Sequence, residues 1–237
     1  MIYTFDSRVR YSETRPDGRM SLHALMNYLQ DCSTFQSEEL GVGVKALHRI
    51  GRAWVLVAWQ IRINRYPVFG ERITIGTKAT EHDRLIAQRN FFIRDKEGEF
   101  LVKANSCWTY VDRETGHAQL LTEACLSPYG QEPPLDMPMA SRKIRLPKGE
   151  AAEGIRLEVT KEHLDSNEHV NNGQYIRIAE NALPRTVFPL QVRAEYRRAA
   201  FLGDEMIPWL YETETGYVVA LKNPAGEIFS VVEFTLD

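Results

Sequence analysis

The chain has 237 residues, 43% of them apolar and 26% charged, with a formal net charge of −3 at pH 7. At about 150 residues per domain this is one large domain or two small ones, long enough to fold without a disulfide or metal staple. The composition excludes disordered, collagen-like and coiled-coil classes. The acidic balance argues against a nucleic-acid partner, since such binders carry a basic excess to neutralise phosphates.

The longest apolar run, Ala53 to Trp59, is far short of the roughly 20 residues that a membrane span needs. The first residues, MIYTFDSRVRYSE, are charged by residue 6 and lack the apolar stretch of a secretory signal, so the expected location is cytoplasmic. Cys32, Cys107 and Cys125 are odd in number and widely spaced, which reads as reduced, structural thiols.

In residues 21–40, Leu22, Leu25, Met26, Leu29, Cys32 and Phe35 recur at spacings of three and four, one apolar stripe on a helix of about five turns. Ser21 is placed to cap its start and Gly41 to stop it. Four runs follow, AWVLVAWQIRINRYP, ERITIGTKATEHD, LIAQRNFFIRD and FLVKANSCWTYVD, separated by Phe69-Gly70, His82-Asp83-Arg84 and Lys96-Glu97-Gly98. They are rich in β-branched and aromatic residues with hairpin punctuation between them. The pattern predicts an α+β fold with a helix on one face of an antiparallel sheet.

Residues 127–150 hold five of the 11 prolines and read as an extended connector, because proline fixes φ and lacks a donor for a sheet ladder. Beyond it the pattern restarts. Thr14 to Ser21 sits 150 positions before Leu164 to Asn171, INRYPVFGERITIGT pairs with YRRAAFLGDEMIPWL, and RDKEGEFLVKANSCWTYV pairs with KNPAGEIFSVVEFTL. The expected organisation is an N-terminal unit over 1–126, a connector over 127–150 and a C-terminal unit over 151–237.

The segment KEHLDSNEHVNNGQYIRIAENALP places a polar cluster before an apolar helix. If extended, it would point Asp165, Asn167 and His169 the same way. His169 can take a proton from water near neutral pH, Asn167 can hold a water or a carbonyl, and unpaired N–H groups at the helix start favour an oxyanion. These are the parts of an acyl hydrolase that uses activated water. A helix cap with a polar loop explains Asn171, Asn172 and Asp165 without activity. His163, Asp165 and His169 match no standard metal spacing. Cys107, within KANSCWTYV, reads as a buried thiol rather than a nucleophile.

LDSNEHVNNGQY resembles the Asp-x-Asn-x-His-x-Asn-Asn-x-x-Tyr stretch of the acyl-acyl-carrier-protein thioesterases, and AEYRRAAFLGDE resembles their Glu-Tyr-Arg-Arg strand. VRYSETRPDGRMSLHALMNYLQD, Gly51 to Leu56 and RINRYPVFGE are similar as well, so the likeness covers nearly the whole chain. It implies two tandem hot-dog units packed as a pseudo-dimer and hydrolysis of fatty acyl-acyl carrier protein, with Asp165, Asn167 and His169 catalytic and no cofactor or metal. Where plant members carry Glu and Cys after that strand, Ala199 and Ala200 stand here. Glu195, four residues back along a strand and so about 13 Å away, cannot replace the carboxylate.

The expected oxyanion donors are the backbone N–H groups of Val170 to Asn172. In the first copy Arg19 stands at the place of His169, so the N-terminal unit is expected to shape an acyl pocket with Leu22, Leu25, Met26, Leu29, Trp54 and Trp59. An acidic carrier protein calls for a positive surface, offered by Arg142, Lys143, Arg145 and Lys148 or by Arg193, Arg197 and Arg198. Hydrolysis of acyl-coenzyme A, a hot-dog dehydratase and a non-catalytic acyl-binding module are the competing readings. A tandem chain already contains the paired unit that single hot-dog proteins build by dimerising, so a further homodimer is left open.

Overall fold

The computed structural model describes residues 1–236. It divides into two compact units, Met1–Val57 with Ile61–Met139, and Ala58–Gln60 with the chain from Ala140 onward. Among the described residues no helix is long and apolar enough to cross a membrane.

In the first unit the edge strand β1 (Tyr3–Arg8) leads through a 3-10 turn at Tyr11–Glu13 to α1 (Leu22–Glu39) and the short α2 (Val44–Arg49). The strands β2 (Arg52–Ile63), β3 (Arg72–His82), β4 (Ile86–Arg94) and β5 (Phe100–Asp112) follow, and after them α3 (Glu123–Leu126). The sheet order is β1-β3-β4-β5-β2, with β1 antiparallel to β3 in the register Tyr3↔Thr77 to Arg8↔Arg72. As the spacing predicts, the Ser21 hydroxyl accepts the Ala24 N–H at 3.2 Å, and Gly41 follows the C-cap Leu40 at φ +73°. Of the predicted stripe, Leu22, Leu25, Met26, Leu29 and Cys32 are fully buried, with α1 packed on β3, whereas Phe35 is 45% exposed. Among the elements not legible in the sequence are β1 and α2. β1 is half-buried and carries charges at alternate positions, and α2 is six residues long with no buried side chain.

A cation is buried beneath α1. Arg89 on β4 donates to the Gln36 carboxamide of α1 and to the Thr77 hydroxyl at 3.3 Å, and lies over the Tyr129 ring at 4.9 Å. Burial lowers its pKa to about 10. The Cys32 thiol is fully buried, and burial raises its pKa to about 12.

The second unit has short β6 (Ala152–Glu153) and β7 (Leu157–Glu158), a 3-10 turn at Lys161–His163, α4 (Asn172–Asn181), and then β8 (Gln191–Tyr196), β9 (Glu205–Thr213), β10 (Gly216–Lys222) and β11 (Ile228–Thr235). Its order is β6-β9-β10-β11-β8, with β7 also on β9, the same winding as the first unit. α4 packs on β10 and β11 and has ten residues against the 18 of α1. The chain is thus two tandem hot-dog units of α+β class, the second with a truncated helix.

The repeat extends to single hydrogen bonds. Val9 N–H donates to Glu71 O at 2.9 Å and Gly70 N–H to Val9 O at 3.0 Å. In the second unit Val159 N–H donates to Asp204 O at 2.8 Å and Gly203 N–H to Val159 O at 2.9 Å. The turns at Gly98 and Gly226, both at positive φ, close in the same way, with Gly98 N–H on Asp95 O and Gly226 N–H on Asn223 O.

The proline-rich segment holds only a 3-10 turn at Ser127–Tyr129 before β6, yet it is not a solvated strap. Within the first unit, Glu132 N–H bonds Ala79 O at 3.0 Å and Leu135 N–H bonds the Asn90 carboxamide at 2.7 Å. Within the second, Ile144 is 3% exposed in a cluster with Tyr211, Val218, Ala220 and Val231.

These buried groups set an alkaline limit. A thiol ionising near 9 in the unfolded chain and about 12 in the fold, as for Cys32, stabilises fully below pH 9 and loses that contribution as pH rises towards 12. Tyr175, moved by burial from 10 to about 12, adds to the same loss above pH 10. The denaturation midpoint in urea is expected to be level from pH 7 to 9 and to fall above it, less steeply in Cys32→Ala. A midpoint level to pH 11 would contradict this.

Candidate active site

Asp165, Asn167 and His169 lie on a tight turn rather than an extended stretch. After the 3-10 turn, where Thr160 N–H donates to His163 Nδ1 at 2.9 Å, Leu164 and Val170 face each other in an antiparallel bridge. Between them Asp165 N–H donates to His169 O at 2.8 Å and Glu168 N–H to Asp165 O at 3.0 Å. The Asp165 carboxylate accepts the Asn167 N–H at 2.7 Å, an Asx-turn that the segment's own composition favours. This corrects the alternation read from the sequence, because a closed turn does not put every second residue on one face. Asn167 and His169 are exposed and Asp165 is half-buried. The three share one turn, but among the described residues no hydrogen bond joins their side chains.

The turn is fixed at both ends. Val170 N–H donates to Ala200 O at 3.0 Å, Asn171 N–H to His163 O at 2.9 Å, and the Asn171 side chain caps α4 by accepting Gly173 N–H at 2.8 Å. Of the three N–H groups expected as oxyanion donors, those of Val170 and Asn171 are therefore already committed. Only the Asn172 N–H lacks an acceptor among the described residues, and it opens the first turn of α4, where the helix dipole favours negative charge.

The first unit repeats this construction with different residues. Thr14 bridges Met20, Arg15 N–H donates to Arg19 O at 2.8 Å, Gly18 N–H to Arg15 O at 2.9 Å, and Ser21 N–H to Glu13 O at 2.9 Å. Gly18 has φ +80°, and its counterpart Glu168 has φ +61°, the only positive φ at a non-glycine residue among those described. A side chain in that region costs about 1–2 kcal/mol, and such strain collects at functional turns.

Three neighbours were not singled out in the sequence. The Phe201 ring stands edge-to-face with His169, centroids 4.9 Å apart at 88°. The Tyr175 hydroxyl accepts Ala200 N–H at 2.9 Å, and the Tyr196 hydroxyl donates to Asn172 O at 2.9 Å. Burial raises the pKa of Tyr175 to about 12 and that of Tyr196 well above its ordinary value, so both are neutral phenols that brace the turn. Tyr196 and Phe201 stand in AEYRRAAF, and no spacing rule tells which of those residues meets a turn some 30 positions earlier.

Ala200 is in contact with the motif through Val170, so the neighbouring exposed Ala199 is beside it with no carboxylate to offer. Glu195 is occupied, accepting Ile144 N–H and the Arg197 guanidinium, both at 2.9 Å. The second basic cluster is paired within the chain. Arg193 pairs with Glu233 at 2.6 Å and donates to Ser141 O, Arg197 pairs with Glu195, and Arg198 pairs with Glu227. In the connector, Arg142, Lys143, Arg145 and Lys148 are exposed, with no ion-pair partner among the described residues. Those residues contain no cluster of three or more His, Cys, Asp or Glu placed to hold a metal.

Glu168→Gly is expected to raise stability by about 1 kcal/mol by relieving the left-handed strain, read as a higher urea midpoint. A lower midpoint would show that the side chain, not the backbone, governs this position.

A family model described as the acyl-ACP thioesterase N-terminal domain matches residues 2–129. An acyl-[acyl-carrier-protein] hydrolase of Cuphea viscosissima is 28% identical over 206 residues, covering 80% of this chain and 49% of that protein. An oleoyl-acyl carrier protein thioesterase of Arabidopsis thaliana is 25% identical over 210 residues, covering 80% and 58%. The chain thus spans about half the length of the curated relatives it matches. Among solved structures, an acyl-ACP thioesterase from Bacteroides thetaiotaomicron superposes with a TM-score of 0.90 at 23% identity, covering 100% and 98% of the two chains. The 12:0-ACP thioesterase from Umbellularia californica gives 0.86 at 18% identity, covering 99% and 96%. By the match over more than half its length, this chain belongs to the acyl-ACP thioesterase family.

Proposed function

We propose that the protein hydrolyses the thioester of fatty acyl-acyl carrier protein, releasing the free acid, with the chemistry in the second unit. The observation that carries this reading is the exposed imidazole of His169 three residues before the uncommitted Asn172 N–H at the start of α4. His169 takes a proton from water, the water oxygen bonds to the thioester carbonyl carbon, and the developing oxyanion is stabilised by the Asn172 N–H at the positive end of the helix. The C–S bond then breaks, and the proton passes to the departing thiolate. With a thiol pKa of about 8.5 that group leaves with little acid help, so the absence of a carboxylate at Ala199 is tolerable.

Asn167 positions the water or the carbonyl. Asp165 acts as a positioning residue, because its carboxylate holds the turn that presents His169. The first unit, with Arg19 at the histidine's place, contributes apolar surface for the acyl chain. The exposed connector cations Arg142, Lys143, Arg145 and Lys148 suit an acidic carrier protein.

Release of fatty acid from acyl-acyl carrier protein is the direct assay. His169→Ala should lose on the order of 10²–10⁴-fold in turnover with an unchanged melting temperature. Asp165→Asn, which keeps an acceptor for the Asn167 N–H, should retain most activity, while Asp165→Ala should not. Near-wild-type turnover by His169→Ala would remove the assignment. Docking is tested separately: kcat/KM on the carrier-bound substrate should fall steeply between about 50 and 500 mM salt, and that on a small acyl thioester should not. Equal salt dependence would refute electrostatic docking, and faster hydrolysis of acyl-coenzyme A would favour that substrate instead.

A further inference from the structure

On the first unit, Lys78 and Arg94 lie on the face of the sheet turned away from α1, and the proposed reaction does not use them. Thr77 contacts Arg89 beneath α1, so its neighbour Lys78 points to the opposite face by the alternation of a strand. Lys78 is only 8% exposed, and among the described residues it has no hydrogen-bond or ion-pair partner. Arg94, on the adjacent strand β4, stacks its guanidinium on Phe92 at 4.6 Å and Phe100 at 4.1 Å. Stacking leaves the N–H edge of the guanidinium to bond in its own plane, and its buried Nε has no acceptor.

Both residues line one cleft of about 370 Å³, together with Lys96, which is paired with Glu97 at 3.4 Å, and its apolar wall includes Phe92 and Leu135. Phe92 lies across β3 at Gly76, where a Cβ would collide with its ring, so this wall is set by the sheet itself. Asp95 also lines the cleft but does not neutralise the two cations. One of its oxygens accepts the Glu97 and Glu99 N–H groups, and the other faces Arg65 at 3.6 Å.

An ammonium that opens on an apolar-walled cleft with no ion-pair partner attracts an anion, and the planar guanidinium of Arg94, four register positions along on the same sheet face, matches the geometry of a carboxylate or a phosphate. We propose that this cleft binds the oxyanion of a small molecule, a phosphate or a carboxylate, between Lys78 and Arg94, with the apolar part of the ligand against Phe92 and Leu135. The site lies within the first unit and does not depend on the hydrolytic reading.

The test is a thermal titration of the whole chain with inorganic phosphate, and separately with butyrate, each against sodium chloride at matched ionic strength. One of the two should raise the melting temperature saturably, by about 2–4 °C at concentrations well above Kd, and the arm that does so names the class of anion. Lys78→Met, which keeps the bulk of the stem, and Arg94→Gln should each abolish the rise. No shift beyond chloride with either probe would overturn the proposal, as would an undiminished shift in Arg94→Gln. Should Lys78→Met fail to fold, Arg94→Gln alone decides.

Discussion

The 3.0 Å hydrogen bond from Val170 N–H to the Ala200 carbonyl holds the Asp165–His169 turn against the loop after β8, and the rest of the site is arranged around it. Because Ala200 accepts that bond while its own N–H is taken by Tyr175, the loop is held on both sides of one residue, and Phe201 stands against the His169 ring. Because Val170 is pinned, Asn171 falls at the N-cap of α4 and Asn172 becomes its first helical residue. One backbone contact thereby sets which N–H is left for an incoming oxygen. Each bond is worth only about 1 kcal/mol net, but breaking this one would release the histidine, the loop and the helix start together.

The two units show how a shared scaffold diverges. Both close the turn with the same pair of hydrogen bonds and lead it into a capped helix. The first does so with glycine at the left-handed position and arginine after it. The second places Glu168 and His169 there, accepting strain at the first. Divergence also shortens the helix, and α4 follows an exposed polar turn whose imidazole meets the Phe201 ring.

Two cations on the first unit's sheet are treated in opposite ways. Arg89 is surrounded by a carboxamide, a hydroxyl and an aromatic face beneath α1, so its desolvation is offset from inside the fold. Lys78, one strand away on the other face, has no such set of partners. The same sheet therefore completes one cation from within and leaves the other open on a cleft.

The sequence by itself determined the tandem α+β architecture, the capped α1, the four long strands of the first unit and the polar cluster before α4. Those features rest on periodicity, caps and turn residues, which act over a few neighbouring positions. It also carried the 150-residue spacing that relates Thr14–Ser21 to Leu164–Asn171. The tertiary structure alone decided that Asp165 bonds the turn backbone rather than His169, and that Val170 and Asn171 are committed donors. It alone decided that Arg193, Arg197 and Arg198 are held in internal pairs, and that Phe201 and Tyr175 brace the site. Each of those outcomes turns on which distant backbone or carboxylate arrives within 3 Å, and no pattern along the chain encodes that distance.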